Sequence, residues 1–301
     1  VLVVGAGPVG SVLASDLVRR GVTVRLIDKG DGTFAGSRAK GVQPRTQELF
    51  DDLGVLGEAL AAGGPYPWMA AHVGRLKLSW PMQRSHRPSA AIPYPNILLL
   101  PQRETDRILH ERLRQQGVAV EFGTTLTGLR QDAVGVAATV EAGGLAETIR
   151  CRYLVGADGA ASTTRKLLNI QFAGSTDDSD RMIVADAEID GLARDRWHVW
   201  PRAKGRFLGL CPLPHSAQFQ LMLRLRPGEQ PDISEATLAE SVRALTGLRL
   251  HGLTWASVFR PNIRLVERYR SGRVLLSGDA AHVHTPAGAQ GLNTGVQDLS
   301  L

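Results

Sequence analysis

The chain has 301 residues, 43% hydrophobic and 21% charged, which is enough to bury a core in one large or two interlocked domains. The formal charge of +6 comes mostly from dispersed arginines (Arg19, Arg75, Arg130, Arg202, Arg249), so the composition argues against a nucleic-acid binder and for a solvated basic surface that favours anionic ligands. No apolar run reaches the ~18 residues of a membrane span, no stretch reads as a signal peptide, and Cys151 and Cys211 form no C-x-x-C, which fits a reducing cytoplasm without metal or disulfide framework.

Val1–Val4 reads as a buried parallel strand. It runs into Gly5-Ala6-Gly7-Pro8-Val9-Gly10, a G-x-G-x-x-G pattern. A helix follows with Val9, Val12, Leu13 and Leu17 on one face, Arg19 and Arg20 near its end and Gly21 past it. Val22–Ile27 is a second strand, closed by Asp28. Gly5 allows the tight turn, Gly7 lets a pyrophosphate approach the backbone, and Gly10 lets helix and strand pack closely. Pro8 suits the first helical position, and the free N–H groups there face phosphates. Asp28 can accept hydrogen bonds from a ribose hydroxyl. This context predicts a dinucleotide site and leaves NAD, NADP and FAD open.

Lys29–Lys40 is a loop; helices are expected over Pro44–Leu53 and Leu56–Ala62, with Gly63–Pro67 breaking them. A strand is predicted over His72–Trp80 and a surface excursion over Arg84–Pro95. Gln102–Gln116 is a clear helix, with Ile108, Leu109 and Leu113 on one face. Val118–Phe122, Thr125–Gln131, Val134–Ala142 and Glu147–Cys151 read as a strand and a small antiparallel meander. Tyr153–Val155 leads into Gly156-Ala157-Asp158-Gly159 and a helix over Ser162–Leu168.

From Phe172 to Arg264 the chain becomes β-rich. Strands are expected at Met182–Ile189, Arg196–Trp200, Phe207–Leu213, Phe219–Leu225 and Thr254–Arg260, with a helix at Ser234–Leu245. Arg273–Leu276 is again a buried strand, opening into Gly278-Asp279, the loop Ala280–Gln290 and a last helix from Gly291. Both ends read as clipped, the first on a strand and the last inside a helix.

Three glycine–acid signals therefore stand at strand ends: Gly5–Gly10 with Asp28, Gly156–Gly159, and Gly278-Asp279. Ligands of open α/β sheets sit at the carboxyl ends of strands, and three such ends suit a ligand as long as FAD. With these residues in hand, the chain resembles the single-component FAD-dependent aromatic hydroxylases of the p-hydroxybenzoate hydroxylase type, close to their phenol, pentachlorophenol, rifampicin and polyketide monooxygenase branch. The resemblance covers essentially the whole chain and is carried by VLVVGAGPVG, SRAKGVQPRTQELF, PQRETDRIL, YLVGADGAASTTRK and GRVLLSGDAAHVHTPAGAQGLNTGVQD.

The resemblance implies an α/β fold: a Rossmann-like FAD-binding domain (1–171 and 265–301) with an inserted β-rich substrate domain (172–264), to which part of 72–100 is a further contributor. It implies FAD, tightly but non-covalently bound, held by Gly5, Gly7, Pro8, Val9, Gly10, Asp28, Lys29, Arg38, Gln102, Leu126, Asp158, Gly278, Asp279, Pro286, Gly291, Leu292 and Asn293. Asp28 would hold the adenosine ribose and Leu126 the adenine. Arg38 would reach the phosphates; Gln102, with Arg103 as a second candidate, would contact the ribityl–phosphate stretch. Asp158 is alternatively a cap of the helix after Ser162. Asp279 would bond the ribityl region, and Pro286–Asn293, with Gly288, would wrap the flavin edge, where Leu292 and Asn293 offer backbone N–H groups to reduced flavin.

No second G-x-G-x-x-G occurs, so NAD(P)H is expected to dock transiently. His282 and His284 are weighed as acid/base groups against simple packing roles, and no residue is assigned as catalytic. Trp197 and Trp200 are expected in the β-rich part, one of them lining a substrate cavity. The expected reaction is hydroxylation of an aromatic, phenolic or polyketide-like substrate with NAD(P)H and O2 through a flavin C4a-hydroperoxide. Alternatives are Baeyer–Villiger or epoxidising chemistry on the same fold, or a non-catalytic FAD-binding protein. No nucleic-acid or membrane partner is expected, and the oligomeric state is open.

Overall fold

The computed structural model describes residues 1–284 and 290–299. Its first layer is a six-stranded sheet in the order Arg270–Ser271, Val274–Leu276, Leu154–Gly156, Leu2–Val4, Arg25–Ile27, Val120–Glu121. Neighbours run parallel except at the Arg270–Ser271 edge. Leu2 pairs opposite Leu154, and Leu154 opposite Val274, so Val4, Gly156 and Leu276 end side by side. That register brings the three glycine-bearing turns to one edge.

Strands this short offer few ladder hydrogen bonds, each worth about 1 kcal/mol net. Burial of their apolar side chains, about 1.5–3 kcal/mol each, dominates. On one face the helices Pro8–Arg19 and Gln102–Gln115 bury Ala14 and Leu113 against Val3 and Leu26. On the other, the antiparallel meander Thr124–Gln131, Val136–Ala142, Leu145–Cys151 buries Leu126, Val140 and Ile149 against Leu2, Ile27 and Leu154.

The β-rich part is a seven-stranded sheet in the order Leu250–Phe259, Met182–Ile189, Gln218–Arg224, Arg206–Pro212, Arg196–Ala203, Trp68–Val73, Leu76–Trp80. All pairs are antiparallel except Arg196–Ala203 with Trp68–Val73. The strand predicted over His72–Trp80 is in fact a hairpin, because Gly74 takes the left-handed conformation (φ +60°) and reverses the chain. Leu250–Phe259 starts earlier than expected. The structure adds short strands at Gly41–Val42, Gly64–Pro65, Phe172–Thr176, Asn262–Val266 and His282–Val283, of which the two-residue ones are too brief for alternation to register.

Helix Glu235–Thr246 covers one face of the large sheet, burying Leu238 and Val242 against Ile183, Leu210, Leu221 and Leu250. Ser234 caps its start and left-handed Gly247 ends it. The other face meets the loop at 34–40. There Ser37 donates its backbone N–H (2.7 Å) and its hydroxyl to buried Asp186, and Gln220 donates to the Ser37 carbonyl at 2.9 Å. The Trp255 ring lies flat over Gly36, where a Cβ would come within 2.4 Å of it.

Candidate dinucleotide and active site

Gly5 turns out of the first strand at φ +102°, and a Cβ there would lie 2.4 Å from the Ala157 carbonyl oxygen. The first and second glycine turns are therefore in direct contact. At Gly10 a Cβ would fall 1.9 Å from the Gly5 carbonyl oxygen, so only glycine lets the helix start this close to the strand. Gly7, by contrast, has nothing within 4 Å of a built Cβ. It is the open side of the turn. Gly7 is also the N-cap and makes no side-chain cap bond, with Pro8 in the first turn, so the helix presents unsatisfied N–H groups.

A crevice of about 420 Å³ opens at this point, at the carboxyl end of the sheet. Gly5, Gly7, Asp28 and Lys29 line one side, and Arg38, Gln102, Leu126 and Asp158 also line it. A larger hollow of about 1010 Å³, floored by Val1, Leu2 and Cys151, lies by the opposite strand ends, where open α/β sheets do not bind ligands. Size does not decide between the two; the glycine turns do.

Asp28 accepts hydrogen bonds from the backbone N–H groups of Ala6 and Gly30, both at 2.7 Å. Its carboxylate thus holds the glycine turn and the following loop in place while lining the crevice. Asp158 accepts from the Ser162 hydroxyl (2.6 Å), the Thr164 N–H (3.0 Å) and the Thr164 hydroxyl (3.1 Å). The capping role is realised, and the residue borders the crevice as well. Arg165, which sequence reasoning passed over, donates to the carbonyls of Ala280 (2.9 Å) and Ala160 (2.8 Å), tying the second glycine turn to the third.

The third turn, Gly278–Ala280, packs on the first helix through Val9. A Cβ on Gly278 would lie 2.9 Å from Val9 Cγ2, and one on Gly295 2.7 Å from it. Val9 therefore acts by packing between these two glycines. Asp279 has exposed surface, yet crowding by protein pushes its carboxyl up, partly offset by Arg38, His282 and His284, of which Arg38 lines the crevice. Gly291 begins the short helix Gly291–Gln297, and Leu292 packs into the cluster around Val9, Phe50 and Leu100. Asn293 is fully buried, its side chain bonded to Gly41 and Gln43. Pro286 and Gly288 lie outside the described residues.

One expectation is corrected. Arg103 does not face the crevice: it donates to Gln218 Oε1 at 3.1 Å and lies 3.6 Å from the buried Asp186 carboxylate, on the large sheet. The charge of Asp186 draws it there. His282 is committed to an ion pair with Asp298 at 2.8 Å, which raises its pKa. Trp197 sits on the sheet face towards the loop, with the Lys40 ammonium 4.4 Å from its ring centroid. Trp200 is on the opposite face, stacked on His72 at 4.3 Å.

Sequence reading also missed Asp106 and His110, which line the crevice. The signal was present: Gln102, Asp106 and His110 recur at i, i+4, i+8, one face of the helix. His110 donates Nε2–H to the Ala6 carbonyl at 2.7 Å, seating the helix against the glycine turn.

A family model described as "FAD binding domain" matches residues 1–301. Over 99% of its length the chain is 42% identical to a flavin-dependent monooxygenase of Mycobacteroides abscessus and 38% identical to the 6-methylpretetramide 4-monooxygenase of Streptomyces rimosus. It spans 65% and 54% of those proteins, respectively. A solved ternary complex of aklavinone-11 hydroxylase with FAD and aklavinone superposes with a TM-score of 0.84 at 27% identity, covering 99% of this chain and 60% of that one. No helix among the described residues is long and apolar enough to cross a membrane.

Proposed function

We propose that this chain, which belongs to the family of FAD-dependent aromatic and polyketide hydroxylases, forms the flavin-holding and substrate-facing part of an NAD(P)H- and O2-dependent monooxygenase acting on an aromatic, polyketide-like compound. The observation that carries this reading is the register that sets three glycine–acid turns side by side, the first two of them lining one crevice. The residues present fit FAD. Gly7 leaves room where a Cβ would stand, and the uncapped helix start supplies N–H donors for a pyrophosphate.

In this reading Gly5, Gly7, Pro8 and Gly10 hold the pyrophosphate against the helix start. Asp28, with Lys29 beside it, and Leu126 hold the adenosine end. Arg38 and Gln102 contact the phosphate–ribityl stretch, and Asp279 the ribityl chain. Asp158, Val9 and Gly278 shape the turns. Gly291, Leu292 and Asn293 set the helix start by the flavin edge, together with Pro286. Bound there, FAD would supply the redox chemistry needed to accept a hydride from NAD(P)H and to use O2 in hydroxylating an electron-rich ring.

The chain's own part is to bind, orient and exclude water. The face of the large sheet carrying Trp197, Gln220 and Asp186 is turned towards the cofactor-binding part, to which Asp186 and Gln220 fasten it through Ser37, and the substrate is assigned to this side of the sheet. The corresponding division is 1–171 with 265–301 for the cofactor and 172–264 for the substrate, with the hairpin Trp68–Trp80 added to the second. The free thiols of Cys151 and Cys211 support a cytoplasmic setting.

The test is reconstitution of the full-length protein with FAD, followed by NADPH and NADH consumption with a panel of phenols and aromatic polyketides and by product mass. A yellow protein that adds one oxygen atom to a polyketide-like aromatic is the expected result. A protein that does not take up FAD would end this reading.

A further inference from the structure

Asp106 is almost wholly buried, 1% exposed, in the middle of helix Gln102–Gln115. It lines the same crevice as Gly5, Gly7 and Asp28. Its Oδ2 takes only a long hydrogen bond from Gln102 Nε2, 3.4 Å. Its Oδ1 is buried with no hydrogen-bond partner in the protein. A buried carboxyl oxygen left unpaired costs about 1–3 kcal/mol, more when charged, so such a group is either a defect or a waiting contact. Its surroundings favour the second. The helix bearing it is fastened to the glycine turn by the His110–Ala6 bond, and Asp106 shares the crevice with the turn that offers its N–H groups there.

We propose that Asp106 is a further cofactor-binding residue, which meets the pyrophosphate stretch of FAD as a neutral carboxylic acid and donates a hydrogen bond to it. The inference rests on the crevice being the FAD site. An ionised carboxylate there would repel a pyrophosphate; a protonated one is a short, strong donor. The charges around it are mixed. Asp28 at the strand end pushes its proton on, and Asp158 on the second glycine turn has the same sign. Lys29 and Arg38 on the loop oppose them, and His110 on its own helix is kept towards the neutral form by burial. Desolvation outweighs the rest and holds the Asp106 carboxyl up at about 8. The pyrophosphate charge raises it further in the complex.

A group protonated in the complex and titrating in the free protein makes affinity fall as pH rises through its free value. The Kd for FAD, read from quenching of flavin fluorescence on adding apoprotein, is expected to be flat below about pH 7.5 and to rise about tenfold by about pH 9. Asp106→Asn keeps a donor and cannot titrate. Its Kd at pH 7 is expected within about threefold of wild type and flat with pH. Infrared spectra of holoprotein carrying 13C-labelled aspartate give a second reading: a carboxylic-acid C=O band at neutral pH that is present in wild type and missing in Asp106→Asn supports the proposal. FAD binding with pH-independent affinity, a wild-type slope retained in Asp106→Asn, or absence of that band would each overturn it while leaving the crevice as the FAD site. Absence of FAD binding at every pH would overturn both.

Discussion

Asn293 and Gly41, 252 residues apart, are joined by a hydrogen bond of 2.8 Å from the Asn293 side-chain amide to the Gly41 carbonyl. The same side chain accepts from the Gln43 N–H, also at 2.8 Å. One fully buried asparagine of the last described helix thus pairs a carbonyl of the short strand Gly41–Val42 and the N–H of Gln43 just after it. Asn293→Ala leaves a buried carbonyl and a buried N–H unpaired, which costs about 1–3 kcal/mol for each group. Asn293→Asp is expected to do at least as much harm at neutral pH, since it turns an acceptor towards the Gly41 oxygen. Urea denaturation checks this, and an unchanged midpoint in both variants would show that the pairing carries no stability.

Gly10 is the position where the glycine turn tolerates least. A methyl group there meets the Gly5 carbonyl oxygen at 1.9 Å, and backbone cannot move aside as a flexible side chain can. Gly10→Ala is expected to destabilise the protein by about 3 kcal/mol or more and to weaken FAD binding together with it. Gly7→Ala is the control, because its added carbon meets nothing in the protein. The apoprotein of Gly7→Ala should melt close to wild type, while its FAD affinity falls through crowding of the ligand. Calorimetry with and without FAD separates the two effects, and similar apoprotein melting of both variants would contradict the assignment.

Asp28 does two things at once, and they can be told apart. Its hydrogen bonds from Ala6 and Gly30 hold the turn, and hydrogen bonds to a charged acceptor are worth about 1.5–3 kcal/mol. Asp28→Ala is expected to lose stability on that scale and to weaken FAD binding at least tenfold. Asp28→Glu moves the carboxylate by one methylene and should damage the turn less than Ala does. If Asp28→Ala retains wild-type FAD affinity, the residue serves the fold alone.

Much of this was legible from the chain because parallel strands buried on both faces leave short apolar runs ending in glycine. Val1–Val4, Tyr153–Val155 and Arg273–Leu276 carried that signature, and their pairing follows from it. The large sheet was legible as strands but not as an order. Nothing local to Trp68–Trp80 says that it joins Arg196–Ala203, over a hundred residues away. Arg103 is assigned to the ligand only by the resemblance, whereas the charge that draws it, Asp186, is remote in sequence. Asp106 was passed over because an acidic residue on an amphipathic helix ordinarily faces water. Only the fold shows that this one is buried.

Two histidine pairs give the protein opposite responses to pH. The hydrogen bond from His282 to Asp298 raises the pKa of His282 above its ordinary 6.5, and Asp298 is held below its ordinary 3.8, its burial being outweighed by that bond and by the Gly278 N–H. Stability from His282 is therefore fully present below pH 6.5 and is lost as pH rises through its higher folded value. Stability from Asp298 is present above 3.8 and is lost in acid. His72 and His198 are hydrogen-bonded to each other at 2.9 Å, and burial lowers both, with His198 also raising the cost of charging His72. Their contribution is full above 6.5 and falls away as pH drops below it. Melting temperature against pH should consequently show a limb on each side. Asp298→Asn is expected to flatten the alkaline limb above about pH 6.5, and to lower the melting temperature by a few degrees at pH 6. His72→Phe retains the stack on Trp200, removes one titrating ring, and is expected to shrink the acid limb only. Loss of the same limb in both variants would contradict the assignment of the two pairs.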